Sequence, residues 1–508
     1  MARVVLSFLA NETSDFAMFR TGDCGPTHLN RLLLSEEALM LSHVFHESEE
    51  AGLLRLVSHE LESEDSYTCK DFNTLLCAEG VIFNSREVSE ATGEYRDHIP
   101  MLYYNGGYVG QYISRSRWGY GSAVTLMRIG ERGTANHDHE DAGTFQLDYK
   151  GLHSGQTGEY NTYGSPEWAY HFQATLGKNG LLFFNPKYAD TEPIYQLDEN
   201  GERVVNSFGN YIYQNAARVF YSGGQKTNRL GPQSLYEWLS GRYDRARVTG
   251  HADGYTEEGT PEFSYIAGDI TRAYTAAEAM YAHRSMLTAF TNNERRPMLL
   301  FVYDNAIPVQ DTTVKFLLQI NGEEAPTIDC ESKLVTVEDG EGQLLLKNIH
   351  GVNRIEAIGG GNGKNSVING VSCQDNLTQS FFGRVELTAE PTRRGVDMLN
   401  VLAVGDRGDS DIPEYKSIEA IGSDGKRTLV GGSALGVAAL FATDTEPCAT
   451  DSRFTLEGEG ELVCYIAGLH AGEWQVTIGG EKKLYTVKED EGLMRLTAKG
   501  GVTISLSL

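Results

Sequence analysis

Apolar residues recur at two different spacings along this chain, and the switch between them divides it. From Leu32 to about Leu61, Leu39, Val44, Ala51, Leu54 and Val57 return among Glu and Ser at the spacing of one helical face. Ser35 is placed to cap the first turn, and Gly52 is expected to bend or divide the helix. Tyr67 to about Arg96 is less regular. After His98 the pattern becomes strand-like, in MLYYNGGYVGQYISRS, SAVTLMRIG and GTFQLDYKG. The first boundary is therefore expected near residue 98.

Short strand candidates continue from there, separated by Gly, Asn and Asp turns, as in YQLDENGER and FVYDNAIPVQDTTVKFLLQINGEE. One helical interruption, PQSLYEWLSGRY, runs from Pro232 to Tyr243. A second boundary is expected where Pro391 to Asp411 interrupts the strand spacing. Beyond it SALGVAALFATD, LVCYIAG, EWQVTIGG and GVTISLSL read as a terminal antiparallel sheet. The expected organisation is a helical region 1–98, a central antiparallel β region 99–390 and a C-terminal antiparallel β region 391–508, a mainly β chain with a short N-terminal α region.

Composition narrows the function classes. With 508 residues, 40% apolar and 22% charged, and with 56 Gly against 13 Pro, the chain is long enough for several folded, turn-rich regions. The net charge of -27 argues against nucleic acid, which demands clustered Lys and Arg. An anionic sugar polymer is also repelled at long range, but a locally basic cleft can focus its own field. Seven cysteines, widely spaced and without CxxC pairs, read as buried reduced thiols rather than a zinc knuckle or disulfide framework. No apolar stretch approaches the roughly 20 residues of a membrane helix. No signal peptide is read at MARVVLSFLANETSD, which slightly favours a cytoplasmic location.

The segment richest in chemistry is Asn136-His137-Asp138-His139-Glu140-Asp141-Ala142-Gly143, which leads straight into the strand-like TFQLDYKG. If the loop end is extended, His137 and His139 point the same way. Paired imidazoles suit metal binding or proton transfer. By itself an HxH is equally a solvated loop.

Its surroundings change that reading. Gly110 to Gly158, with Arg115-Ser116-Arg117-Trp118 ahead of the HxH loop, is similar to the strand, RS-x-W, strand, HxHxDxGxF succession of the heparinase II/III-like polysaccharide lyases. Gly223-Gly224-Gln225 before SLYEWLS, Ala267-Gly268-Asp269-Ile270-Thr271-Arg272-Ala273-Tyr274, Arg284-Ser285 and Val302-Tyr303-Asp304 resemble, in order, further segments of that family. The resemblance implies an (α/α) toroid followed by antiparallel β-sandwich domains, with the active site in the cleft between them. It implies β-elimination across a uronic acid, as in heparin or heparan sulfate, chondroitin or alginate. Such a family is often periplasmic or secreted. By the same resemblance His137 and Tyr170 are the catalytic candidates. Asn136, Arg115, Arg117, Trp118 and Gln225 are the substrate-binding candidates.

Two departures from the family pattern stand out. His139 matches a histidine that holds a structural zinc in the family, but the other expected ligands align with Gln156 and Lys178, poor zinc ligands, so a zinc site is expected to be lost or rebuilt, with His153 or His171 as geometric substitutes. Only 136 residues precede His137, and Phe19 to Asp23 resembles the end of the toroid, so the helical region is expected to be a toroid remnant. The alternative to a lyase is a non-catalytic glycan-binding β-sandwich, or a subunit completed as a homo-oligomer or by a toroid-bearing partner chain.

Overall fold

The computed structural model describes residue 19 and residues 31–44, 46–48, 50–64, 89–106, 109–133, 138–158, 164–207, 209–226, 231–291, 293–361, 363–373 and 380–508. The N-terminal pattern forms two helices, α1 (Arg31–Val44) and α2 (Ala51–Glu64). The break falls between Val44 and Ala51 rather than at Gly52, and Ser35 lies inside α1 rather than capping it. Gly52 has a different task. Its carbonyl accepts from Ala91 N–H at 3.0 Å, and a side chain there would meet the Ser89 carbonyl at 2.8 Å.

The helices lie on a five-stranded antiparallel sheet paired in chain order: β1 (Leu102–Asn105), β2 (Gln111–Arg115), β3 (Val124–Arg128), β4 (Thr144–Asp148) and β5 (Leu152–Ser154). Alternation sends Ile113, Val124 and Leu126 outward against Ala38, Leu41, Leu54 and Val57 of the helices. Tyr112, Met127, Phe145 and Leu147 face inward. With both faces covered, β2 and β4 are buried along their whole length.

Inward lies an eight-stranded sheet, ordered Thr327–Asp329, Leu334–Asp339, Gly342–His350, Val396–Asp406, Met298–Pro308, Ala279–Phe290, Pro261–Asp269, Arg247–Tyr255. A four-stranded sheet, ordered Arg354–Gly359, Gly383–Ala389, Thr313–Ile320 and Leu181–Phe184, covers the same face as the five-stranded one. One core unites the three, with Phe145, Phe316, Met286, Leu300, Leu346 and Leu402 all fully or almost fully buried.

The opposite face of the central sheet, through Leu287, Phe301 and Val401, packs on Val430, Phe441 and Tyr465 of a nine-stranded C-terminal sheet. The alternate residues of that sheet, Leu429, Leu440, Ile466 and Leu496, close with Phe454, Trp474 and Ile504 over a separate core. The chain is thus mostly antiparallel β, as the strand pattern implied, with few helices. Two expectations need correction. Val396–Asp406 is hydrogen-bonded inside the central sheet, so the second boundary falls after Asp406 rather than at 391. The C-terminal sheet is not wholly antiparallel, because Val437–Ala442 and Glu461–Ala467 pair in parallel.

Candidate active site

The outer face of the five-stranded sheet changes from apolar to polar at one end. The register aligns Gln111, Arg128 and Thr144 in one row, beside the row of Ile113, Leu126 and Gln146. The loop entering β4 folds over this polar end and is gripped by two arginines. Arg128 pairs with Asp141 at 3.0 Å and approaches Asp138 at 4.0 Å. Arg245 pairs with Asp138 at 3.2 Å and donates to the His139 carbonyl at 2.6 Å. The guanidinium of Arg245 lies so close to Gly133 that a Cβ there would fall 1.7 Å from it, so a larger residue would have to push that guanidinium aside.

Beneath the loop, residues from distant segments hold its backbone. Glu140 N–H donates to the Gln173 carbonyl at 2.9 Å, and its carboxylate accepts from Thr175 N–H and hydroxyl at 3.1 and 3.2 Å. The same Thr175 hydroxyl accepts from Gln225 N–H at 2.8 Å. The Gln225 side-chain amide pairs with both backbone groups of Ala142, at 3.0 and 2.7 Å, and reaches the Tyr274 hydroxyl at 3.3 Å. Tyr274 in turn donates to the Leu181 carbonyl at 2.8 Å, and burial pushes its phenol well up, so it remains a donor. Arg284 donates to the carbonyls of Gly143 and Asn179 and clamps Asp304 through two bonds of 2.6 and 2.9 Å. Both partners of that pair are fully buried.

The residues singled out from the sequence fall at different depths. His137 and Asn136 lie outside the described residues, which resume at Asp138. His139 is fully buried, edge-on to Phe172 with ring centroids 4.7 Å apart. Tyr170 lies on the π-helical turn Trp168–Phe172, half-buried, with its ring 5.2 Å from that of Phe220. Arg117 is exposed, donating to the carbonyls of Tyr120 and Gly121. Two substrate-binding expectations are corrected. Arg115 is buried, its guanidinium 3.7 Å over the ring of half-buried Trp118, and Gln225 is buried with its amide engaged by Ala142. Both sit behind the surface because the strand and loop that carry them are covered on both sides.

The residues around His139 do not fit zinc. Gln156 and Lys178 line a narrow cavity with Arg128, Asp141, Thr144 and Gln146. The Lys178 ammonium donates to the Phe172 carbonyl, placing a fixed positive charge beside the ring on which His139 rests. An ammonium repels a dication, and among the described residues no group of three His, Cys, Asp or Glu could hold a metal ion. The substitutes do not converge either. His153 meets the Tyr149 carbonyl at 2.9 Å, and burial lowers its pKa to about 4. His171 meets the Thr157 hydroxyl at 3.1 Å and is held well below its ordinary value by burial, then by Arg384 and Lys178. Sequence reasoning missed Arg128 and Arg245. The one available signal for Arg128 was a charged residue at the third outward position of a strand whose earlier outward positions, Val124 and Leu126, are apolar.

The fold and site together are those of stacked antiparallel sheets carrying a loop anchored from distant segments. Residues 427–507 match the family model of the heparinase II C-terminal domain. The heparan sulfate lyase HepC from Pedobacter heparinus is 12% identical over 96% of this chain and 52% of its own, with a TM-score of 0.48. A structure of a HepC mutant gives 12% identity, 87% and 52% coverage and a TM-score of 0.49. Heparinase III gives 12%, 86%, 53% and 0.47. The chain thus spans 52–53% of the length of these solved structures. No curated protein sequence matches it.

Proposed function

We propose that this chain forms the β-sheet wall of a polysaccharide lyase active site and acts on a uronate-containing glycan by β-elimination. The observation that supports this reading most is convergence. Gln225, Tyr274, Arg284 and Asp304, each from a separate segment of family-like sequence, meet under the single loop that begins after His137. Such support is what a residue needs when a proton must pass at a fixed point.

In the proposed reaction the uronate carboxylate is neutralised, and a base takes the C5 proton. The electron pair left behind forms the C4–C5 double bond, the C4–O4 bond breaks, and the departing oxygen takes a proton. His137, immediately ahead of the arginine-gripped Asp138, serves as base or as carboxylate partner, with Asn136 beside it. Tyr170 is the candidate phenol. Arg117 and Trp118 flank the sugar.

The test is the appearance of unsaturated uronate absorbance on heparan sulfate, chondroitin and alginate. His137→Ala should lower the initial rate by roughly 10²–10⁴-fold with little change in melting temperature. Turnover that survives in His137→Ala would falsify the assignment. Binding without turnover on every polymer would assign the chain to glycan binding instead.

A further inference from the structure

A second groove opens where the C-terminal sheet meets the edge of the central sheet, with a volume of about 960 Å³. Its two walls are tied together. His251 N–H donates to the Asp490 carbonyl at 3.0 Å, and Tyr281 hydroxyl donates to the Thr445 carbonyl at 3.2 Å. Asn305 side-chain N–H groups donate to the carbonyls of Thr443 and Asp444 at 2.9 and 3.3 Å. A groove of this size with tied walls is large enough to hold a small ligand.

Its lining specifies the chemistry. Tyr281 and His283 stand two residues apart on one face of Ala279–Phe290, with rings parallel to within 6° and centroids 6.3 Å apart. The two rings stand parallel to each other at this wall of the groove. Burial lowers the His283 pKa to about 4, with Arg247 acting in the same direction and Asp269 opposing, so the ring is neutral near pH 7. Asp269, Asp444, Glu446, Glu489 and Glu491 contribute carboxylates, against the single guanidinium of Arg247. The side chains of Arg247, Asp444, Glu446 and Glu489 make no hydrogen bond or ion pair to another described residue. They are therefore available to a ligand.

Even with Glu491 paired to Lys488 at 2.6 Å, the four remaining carboxylates against Arg247 repel phosphate, sulfate and uronate. A metal ion is poorly served, since no three metal-binding side chains cluster among the described residues. Carboxylates and a guanidinium fork do suit hydroxyl groups, and an aromatic ring suits the C–H face of a pyranose. We propose that this groove binds an uncharged saccharide, stacked on Tyr281 and His283 and hydrogen-bonded by Arg247 and the rim carboxylates. The site is separate from the loop at 138–143 and does not depend on elimination there.

Calorimetric titration of the full chain with short neutral oligosaccharides of glucose, mannose and N-acetylglucosamine tests this directly. At least one should bind, and Tyr281→Ala and His283→Ala should each weaken it roughly ten-fold. Tyr281→Phe keeps the ring and should bind nearly as well as wild type, and it guards against a fold defect in Tyr281→Ala. Heparan sulfate and alginate fragments should not compete. The proposal is overturned if no neutral sugar binds, if binding is unchanged in both alanine variants, or if simple amines or calcium displace the sugar.

Discussion

Arg284 and Asp304 are sealed from water, and neither can be removed alone without stranding the charge of the other. Burial raises the Asp304 carboxyl pKa while Arg284 opposes that rise, so the pair stands or falls together. Asp304→Ala should cost about 3–5 kcal/mol in chemical denaturation. A loss under about 1 kcal/mol would mean that water reaches the guanidinium. His153 gives a pH signature of the opposite kind. Its pKa falls from 6.5 unfolded to about 4 folded. Its contribution is therefore complete above pH 6.5 and is lost as pH falls toward 4, up to about 3 kcal/mol over that window. His153→Gln should flatten the dependence of melting temperature on pH between those limits. A slope identical to wild type would show that His153 plays no part in it. Lys178 sets a third outcome, zinc well below one equivalent per chain by elemental analysis. A full equivalent lost in His139→Ala would show a rebuilt site.

At the scale of elements, α1 and α2 are held to the rest of the described chain mainly by one apolar patch, through Leu41, Leu54 and Val57 against Val124 and Leu126. Hydrogen exchange should find them opening before the central sheet, whose strands are covered on both faces. Equal protection of both would contradict this. Their helical character was legible from spacing, but their division was not, because the sequence between Val44 and Ala51 lacks the Gly or Pro that usually marks a break, while Gly52 advertises a break it does not make. Strands were legible for the same reason, since alternation and turn residues are local. Sheet membership is not local. Nothing in the apolar run of Val396–Asp406 tells that it pairs with Met298–Pro308 rather than with the strands C-terminal to it, or that Val437–Ala442 runs parallel to Glu461–Ala467. The loop at 138–143 stood out by composition, whereas Arg245 joins it only through folding.

For the whole molecule, the apolar contact between the central and C-terminal sheets argues that they unfold as one. The Tyr303 and Phe441 rings stack across it at 5.2 Å, both nearly fully buried. Phe441→Ala should therefore cost about 3–5 kcal/mol and move a single calorimetric transition rather than split it. Two resolved transitions would mean independent units. The anchoring of the loop carries a consequence for synthesis. Its supports lie 83, 106 and 141 residues further along the chain, at Gln225, Arg245 and Arg284. During translation the loop emerges long before any of them, and Asp304 must be made before Arg284 has its counter-charge. A ribosome stalled ahead of residue 304 would thus display the whole motif with its clamp unmade, and acquisition of the site belongs to the late, slow stage of folding that long-range pairing imposes.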